Sequence, residues 1–276
     1  MIKLCIAGKN DIAVNALHHI LKHYFNANEV AVVTNKSDNG ENSWQKSLKL
    51  AAKNANVAEI NLQDSYKIPN LIFISLEFDK IIKTESFSSK KLYNIHFSNL
   101  PKYKGVFTSI MPILCGESVA GTTLHKINDG IDTGEIIAQN LFKIDINDTA
   151  RDLYFKYLTY SYELFKENIS NIITNNITSY PQDSINSSYF SRKDIDLSNI
   201  TINFNKTSFE IHNNIRAFIF KEYQLPELNN IKIIESRLTN EFIGYKKFIE
   251  SKTHFIISGI DGYKILAKKL NVSHFS

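Results

Sequence analysis

The chain has 276 residues, of which 43% are hydrophobic and 22% charged, and it can form one large domain or a main domain with a smaller appendage. Lys/Arg and Asp/Glu are equal in number over residues 1–184, so the net charge of +4 lies in residues 185–276. This modest positive charge suits a small anionic ligand such as a nucleotide diphosphate better than a long nucleic acid. A solvated basic surface is an equal alternative. The N-terminal apolar run is too short for a signal peptide and no stretch approaches the roughly 18 apolar residues of a membrane helix, so we expect a cytosolic protein.

The first half of the chain alternates strand and helix signals. Strands are predicted at 2–7, 29–34, 71–76, 92–97, 122–127 and 135–140, and helices at about 12–21, 43–54 and 106–116, with Asp11 as the cap of the first helix. This alternation predicts an α/β fold, a Rossmann-like and mostly parallel sheet with helices on both faces. Such sheets bind ligands at the carboxyl ends of their strands.

One long helix is predicted at 149–174, and a boundary follows where Pro, Ser, Asn and Asp accumulate near residues 180–188. We therefore predict a main domain over residues 1–184 and a smaller α+β C-terminal subdomain over residues 185–276. In the subdomain, a helix at about 207–218 precedes short alternating segments, and Asp261-Gly262 is typical of a hairpin turn.

The stretch NIHFSNLP, residues 94–101, places two polar residues inside a predicted strand. Because strand side chains alternate in direction, Asn94 and His96 share one face. The strand ends before Pro101, which has no N–H for a sheet hydrogen bond. We therefore expect the pair to lie near the carboxyl end of a sheet strand.

A second polar candidate lies in a glycine-rich turn between two predicted strands. Asp132 stands between Gly130 and Gly134, and this spacing can hold a carboxylate in a tight turn that faces a cleft. From the spacing alone, an aspartate that caps its own loop is the commoner case.

These motifs resemble those of a known family. They are Asn94-x-His96-x-Ser98, Leu100-Pro101, Gly105, Thr123-x-His125 and the run from Asp129 to Gly134. Together they are similar to the signature of formyltransferases that use 10-formyltetrahydrofolate. Within that family, the segments at 6–17, 74–83 and 215–226 resemble sugar N-formyltransferases acting on dTDP-linked 3- or 4-amino-dideoxy sugars. Asp11 departs from the Asn that such enzymes often carry there.

The resemblance implies a catalytic set of Asn94, His96 and Asp132. His96 would remove the proton of the attacking amine or donate to the developing oxyanion, and Asp132 would orient and charge-stabilise His96. Asn94 would donate an N–H to the oxyanion, an interaction worth roughly 3 to 4 kcal/mol where single donors have been removed in acyl transfer. No covalent enzyme intermediate is needed.

The resemblance also implies two sets of ligand contacts. The folate set is Phe78, Asp79 and Lys80; the substrate set is Asn10, Lys102, Tyr103, Arg192, Lys193, Phe218 and Tyr223. Basic and aromatic groups in the second set suit a pyrophosphate and a stacked thymine. Although His19 and His23 lie one helical turn apart, no third ligand is suggested nearby, so we expect no metal site.

The predicted activity is transfer of a formyl group from 10-formyltetrahydrofolate to the amine of a dTDP-amino-dideoxy sugar, supplying a lipopolysaccharide or lipooligosaccharide sugar. A homodimer is expected from the resemblance, with no nucleic-acid or membrane partner. Three alternatives stay open: a methionyl-tRNA formyltransferase, a formyltetrahydrofolate hydrolase, and a catalytically silent nucleotide-sugar binding protein. The position of the accepting amine, carbon 3 or carbon 4, is left open.

Overall fold

The computed structural model describes residues 1–196 and 201–270. Residues 271–276 of the predicted C-terminal subdomain lie outside this range. The described chain divides into two compact units, each built from three segments. Unit 1 contains Met1–Gly105, Gly121–Leu141 and Tyr157–Tyr189, and unit 2 contains Val106–Ala120, Phe142–Lys156 and the described residues from Phe190 onward. The functional division at residue 184 stays a prediction.

The elements of the first half follow the predicted α/β order. In chain order they are β1 (Leu4–Gly8), α1 (Asn10–His23), β2 (Val30–Thr34), α2 (Leu48–Asn54), β3 (Ala58–Glu59), α3 (Leu62–Tyr66), β4 (Ile72–Leu76), β5 (Leu92–His96), β6 (Lys104–Gly105), α4 (Met111–Leu114), β7 (Val119–Lys126) and β8 (Ile136–Lys143). Seven of the strands form one sheet in the order β3-β2-β1-β4-β5-β7-β8.

This sheet is mostly parallel, as predicted. β1 pairs in parallel with β2 and β4, and β4 pairs in parallel with β5. β7 then runs antiparallel to β5. Every residue of β1 and β4 is buried, which fits strands covered on both faces. Because β7 is antiparallel, Thr123 within it lies opposite His96 at the carboxyl end of β5, and its last residue, Lys126, lies opposite Tyr93.

The remaining elements include the long predicted helix and a second sheet. They are α5 (Ala150–Ile173), β9 (Tyr189–Phe190), α6 (Ser208–Arg216), β10 (Glu227–Leu228), β11 (Ile231–Phe242), β12 (Phe248–Glu250), β13 (His254–Ile257) and β14 (Tyr263–Lys269). The second sheet has the order β10-β11-β14-β13-β12, and its hairpin between β13 and β14 turns at Asp261-Gly262 as predicted. One face of α6 packs on this sheet through Ile211 and Ile215.

The N-terminus of α6 explains why the predicted helix begins where it does. The Thr207 side chain accepts the Glu210 N–H, and the Glu210 carboxylate accepts the Thr207 N–H in return. This reciprocal capping box satisfies two backbone donors that a helix start leaves unpaired.

Three local predictions are wrong. The predicted helix 106–116 is reduced to the single turn of α4, because Phe107 has φ +63° and this left-handed backbone interrupts a helix. The predicted helix 43–54 begins only at Leu48, where Ser47 caps it. Asp11 does not cap α1: its carboxylate accepts the N–H of Lys46, 2.9 Å away, and so ties a loop to the helix.

Candidate active site

The polar face of β5 is the starting point of the site. Asn94 and His96 lie on one face of the strand, while Tyr93 and Ile95 are buried on the other. The register with the antiparallel β7 places Asn94 opposite His125. Directly opposed residues of an antiparallel pair point to the same side of the sheet, so this register adds a second imidazole to the polar face.

Asp132 reaches this face from the loop between β7 and β8. Its Oδ2 lies 3.5 Å from His96 Nδ1 and accepts the N–H of Gly105 at 2.9 Å. Its Oδ1 lies 3.4 Å from Asn94 Nδ2 and 3.6 Å from His125 Nε2. The structure therefore brings together the three residues of the predicted catalytic set, although Asp132 is distant from the other two in sequence.

His125 determines how the Asn94 amide is oriented. His125 Nδ1 lies 2.7 Å from the Lys126 carbonyl and must donate to it, so in the neutral ring Nε2 accepts. Asn94 Nδ2 donates to that nitrogen at 3.1 Å. One Asn94 N–H is thus held firmly by His125. The other makes only the long 3.4 Å contact with Asp132, beyond the usual range, and is the N–H that a ligand oxygen can take.

His96 is held by a backbone carbonyl on its other side. His96 Nε2 lies 2.9 Å from the Tyr103 carbonyl and donates its proton there. Nδ1 is left facing the Asp132 carboxylate. A proton taken up by this imidazole therefore binds at Nδ1, between the ring and the carboxylate.

The electrostatics of Asp132 favour its ionised form. Burial alone raises the pKa of this carboxyl, but His96, His125 and the Gly105 N–H together outweigh burial and hold its pKa well below the ordinary value. Burial also lowers the pKa of Lys104, against the opposing effect of the nearby Asp132. The site therefore contains a fixed negative charge that faces an imidazole.

The predicted folate residues follow β4, at the carboxyl end of the sheet. Phe78 is half-buried and packs on the core, whereas Asp79 and Lys80 are exposed. The Lys80 ammonium lies 5.9 Å from the centre of the Phe78 ring. Asn35 fixes this loop, because its amide donates to the Glu77 carbonyl and accepts the Asp79 N–H.

The substrate residues predicted in unit 1 occupy two places. Asn10 begins α1 with φ +64°, and its amide donates to Glu77 Oε2 at 3.2 Å. Lys102 is half-buried beside the buried Tyr103, whose backbone carbonyl is the acceptor for His96. Tyr103 therefore contributes to the site through its backbone.

The substrate residues predicted in unit 2 differ in exposure. Arg192 and Lys193 are exposed, Phe218 is 6% exposed, and Tyr223 is 60% exposed. Burial of Phe218 favours a packing role, and Tyr223 is the aromatic residue of this pair that is open to a ligand. The ring of Tyr223 lies 4.8 Å from that of Phe220, in a turn where the Phe220 N–H donates to the Gln224 carbonyl.

Three functional candidates were missed in the sequence. They are His125, the Gly105 N–H and Gln182, whose amide donates to the carbonyls of Asp132 and Gly134 at 2.8 Å each. His125 belongs to the quoted Thr123-x-His125 motif. Aligning β5 and β7 as an antiparallel pair would have identified it from the sequence. Among the described residues, no group of three or more His, Cys, Asp or Glu is placed to hold a metal ion, and no helix is long and apolar enough to cross a membrane.

The structure thus brings an amide, an imidazole and a carboxylate together at the carboxyl end of a strand in an α/β sheet, a set that suits proton transfer and the stabilisation of a developing oxyanion. The family model described as "Formyl transferase" matches residues 2–169. The chain belongs to this family.

Two solved structures are similar over nearly the whole chain. An N-formyltransferase from Helicobacter canadensis, solved with folinic acid and dTDP-3-aminofucose, is 61% identical with a TM-score of 0.97, over 98% of this chain and 100% of that one. WlaRD, a sugar 3N-formyl transferase solved with dTDP and 5-N-formyl-THF, is 63% identical with a TM-score of 0.97, over 98% of each chain. A methionyl-tRNA formyltransferase from Fervidobacterium nodosum is 27% identical over 78% of this chain and 71% of its own length.

Proposed function

We propose that this enzyme transfers a formyl group from 10-formyltetrahydrofolate to the amine of a dTDP-linked amino-dideoxy sugar. The observation that carries the proposal is the convergence of Asn94, His96 and Asp132 in a chain 61–63% identical to two enzymes solved with folate and dTDP ligands. Because one of these is a sugar 3N-formyl transferase and the other was solved with dTDP-3-aminofucose, we propose the 3-amino sugar as the acceptor.

The folate supplies a formyl group bonded to nitrogen. The loop with Phe78, Asp79 and Lys80 is proposed to hold the pterin, partly through backbone groups, with the half-buried Phe78 ring as a flat apolar surface. Lys102 is proposed to line the sugar pocket, and Asn10 to reach the pyrophosphate. Arg192, Lys193 and Tyr223 are proposed to contact the nucleotide.

The catalytic residues have distinct proposed tasks. The amine must attack as a neutral nucleophile and then lose a proton, and Nδ1 of His96 can accept that proton because Asp132 stabilises the resulting charge. The loosely held N–H of Asn94 can donate to the formyl oxygen as negative charge develops there, which is worth roughly 3 kcal/mol. His125 keeps the Asn94 amide in the donating orientation.

A coupled assay with mass spectrometry tests the function. In parallel reactions, the purified protein is incubated with 10-formyltetrahydrofolate together with either a dTDP-3-amino or a dTDP-4-amino sugar. We expect a formamide product with the 3-amino sugar at a much higher kcat/KM. Formate release without an acceptor would indicate a hydrolase, and formylation of methionyl-tRNA would indicate a tRNA enzyme. Binding of the dTDP-sugar without any product would indicate a catalytically silent binding protein. Each of these results would overturn the proposal.

The cellular setting follows from the substrate class. A formylated dTDP-sugar is an activated donor, so we propose that the product serves surface-glycan assembly and that the enzyme acts in the cytoplasm. We also propose a homodimer. Light scattering at several protein concentrations tests the dimer, and a concentration-independent monomer mass would contradict it.

A further inference from the structure

A segment that follows α5 contacts both sides of the active site. Within residues 180–188, the Tyr180 backbone exchanges two 2.9 Å hydrogen bonds with Ile136, and Ser188 Oγ accepts the Tyr103 N–H at 2.8 Å. The Ser187 hydroxyl accepts from the Lys104 ammonium at 2.6 Å. This segment therefore holds the backbone next to Gly105 and the start of β8, directly after the loop that carries Asp132.

Gln182 makes the contacts of this segment that are nearest to Asp132. Its Nε2 donates to the carbonyl of Asp132 and to the carbonyl of Gly134, both at 2.8 Å. The two hydrogen bonds therefore hold the carbonyl of Asp132 itself and the carbonyl of Gly134, two residues later. They fix the direction of both peptide groups, which in turn fixes where the Asp132 side chain leaves the backbone.

The orientation of the Gln182 amide is determined by these partners. Its Oε1 is buried and has no hydrogen-bond partner within the described part of the chain. The opposite orientation would place Oε1 against two carbonyl oxygens, with repulsion in place of two hydrogen bonds. In the observed orientation, both N–H groups of the amide are hydrogen-bonded to carbonyls and its oxygen is not hydrogen-bonded to any described residue.

The Asp132 backbone needs such support. Asp132 has φ +53°, in the left-handed region that is unfavourable for residues with a Cβ. Gly134 beside it packs so closely on the Lys126 carbonyl that an added Cβ would lie 1.7 Å from that oxygen. A small rotation of this turn would carry the carboxylate away from both His96 Nδ1 and the Gly105 N–H.

We propose that Gln182 is a positioning residue for the reaction, acting through Asp132 on His96; the catalytic part of this inference rests on the proposed function. Within the described residues, Gln182 makes no hydrogen bond to His96, and it bonds Asp132 only at the backbone carbonyl. Its loss therefore lowers the rate of the chemical step and leaves the affinities for both substrates unchanged.

Kinetics of Gln182→Glu and Gln182→Met test this role, with Ser179→Ala as a control that removes only an exposed hydrogen bond to Glu135. We expect kcat to fall about 10-fold to 100-fold in both Gln182 variants, with each KM within about 2-fold of wild type. The control should retain wild-type kcat. An unchanged kcat, a loss confined to KM, or a failure of both variants to fold would overturn the proposal.

A second measurement needs no turnover, so it separates this proposal from the proposed function. Asp132→Asn is made in the wild-type and the Gln182→Met backgrounds, and the midpoints of urea unfolding are compared at pH 7. If Gln182 positions the carboxylate, Asp132→Asn lowers the midpoint less in the Gln182→Met background. Equal effects in the two backgrounds would overturn the proposal, whether or not formyl transfer is detected.

Discussion

Substitution of Asp132 by Asn tests the electrostatic part of the mechanism most directly. The change removes one negative charge and keeps the size and one acceptor oxygen of the side chain. In the wild type, that charge lies 3.5 Å from His96 Nδ1 and is 13% exposed. The substitution therefore measures how much of kcat depends on a negatively charged partner for the His96 imidazole.

The size of the effect follows from this distance. Two unit charges 3.5 Å apart interact by about 4 to 5 kcal/mol at an effective dielectric constant of about 20. Each loss of about 1.4 kcal/mol in transition-state stabilisation lowers the rate roughly 10-fold. Because Asn retains part of the dipole, we expect kcat to fall by about 100-fold to 1,000-fold.

The assay is the steady-state formation of formamide product, measured with both substrates varied. KM for the dTDP-sugar and for the folate should change much less than kcat, because Asp132 contacts His96, Asn94 and Gly105 within the protein. A folded Asp132→Asn protein with kcat within about 3-fold of wild type would refute the reasoning, since the charge would then contribute almost nothing to the transition state.

The same substitution has a signature in stability that depends on pH. The pKa of Asp132 is lower in the folded chain than in the unfolded chain, so the stabilisation from its ionised form is fully present above the unfolded value of about 4. It is lost as the pH falls below that value toward the folded pKa. The difference in unfolding free energy between wild type and Asp132→Asn should therefore be largest near neutral pH and shrink below about pH 4.

Three further outcomes are expected. His96→Asn should lower kcat by at least about 100-fold in the formamide assay while the protein remains folded, and near-normal turnover would remove His96 from the mechanism. Burial lowers the pKa of His212 to about 4, so the stability that depends on a neutral His212 should be fully present above pH 6.5 and should fall by about 3 kcal/mol toward pH 4. Chemical unfolding of His212→Gln should show a weaker dependence on pH. An equally steep loss in this variant would show that another group titrates. Tyr223→Ala should raise KM for the dTDP-sugar by about 10-fold with KM for the folate unchanged, and a matching rise for both substrates would contradict a nucleotide contact at Tyr223.

Several features of the protein follow from short-range patterns. Strand alternation places Asn94 and His96 on one face, helical spacing identifies α5 to within one residue at each end, and the capping residues around Thr207 set the start of α6. These predictions hold because periodicity and capping depend on residues a few positions apart. The shared face of Asn94 and His96 belongs to this group, whereas their catalytic role was predicted from the family resemblance and stays a proposal.

Other features depend on contacts between distant segments. The antiparallel pairing of β7 with β5 places His125 opposite Asn94, and the following loop carries Asp132 to His96. The predicted helix at 106–116 fails because Phe107 adopts a left-handed conformation, and Asp11 binds a neighbouring loop instead of capping α1.

The physical reason is one of range. Local propensity favours a conformation by a fraction of a kcal/mol per residue, whereas the register of a sheet and the packing of a loop against it are decided by many contacts at once. Thus the amino-acid sequence by itself determines that an amide and an imidazole share one face of a strand. Only the tertiary structure decides that a carboxylate and a second imidazole meet them there, and that the Gln182 amide holds the backbone of the loop that carries this carboxylate.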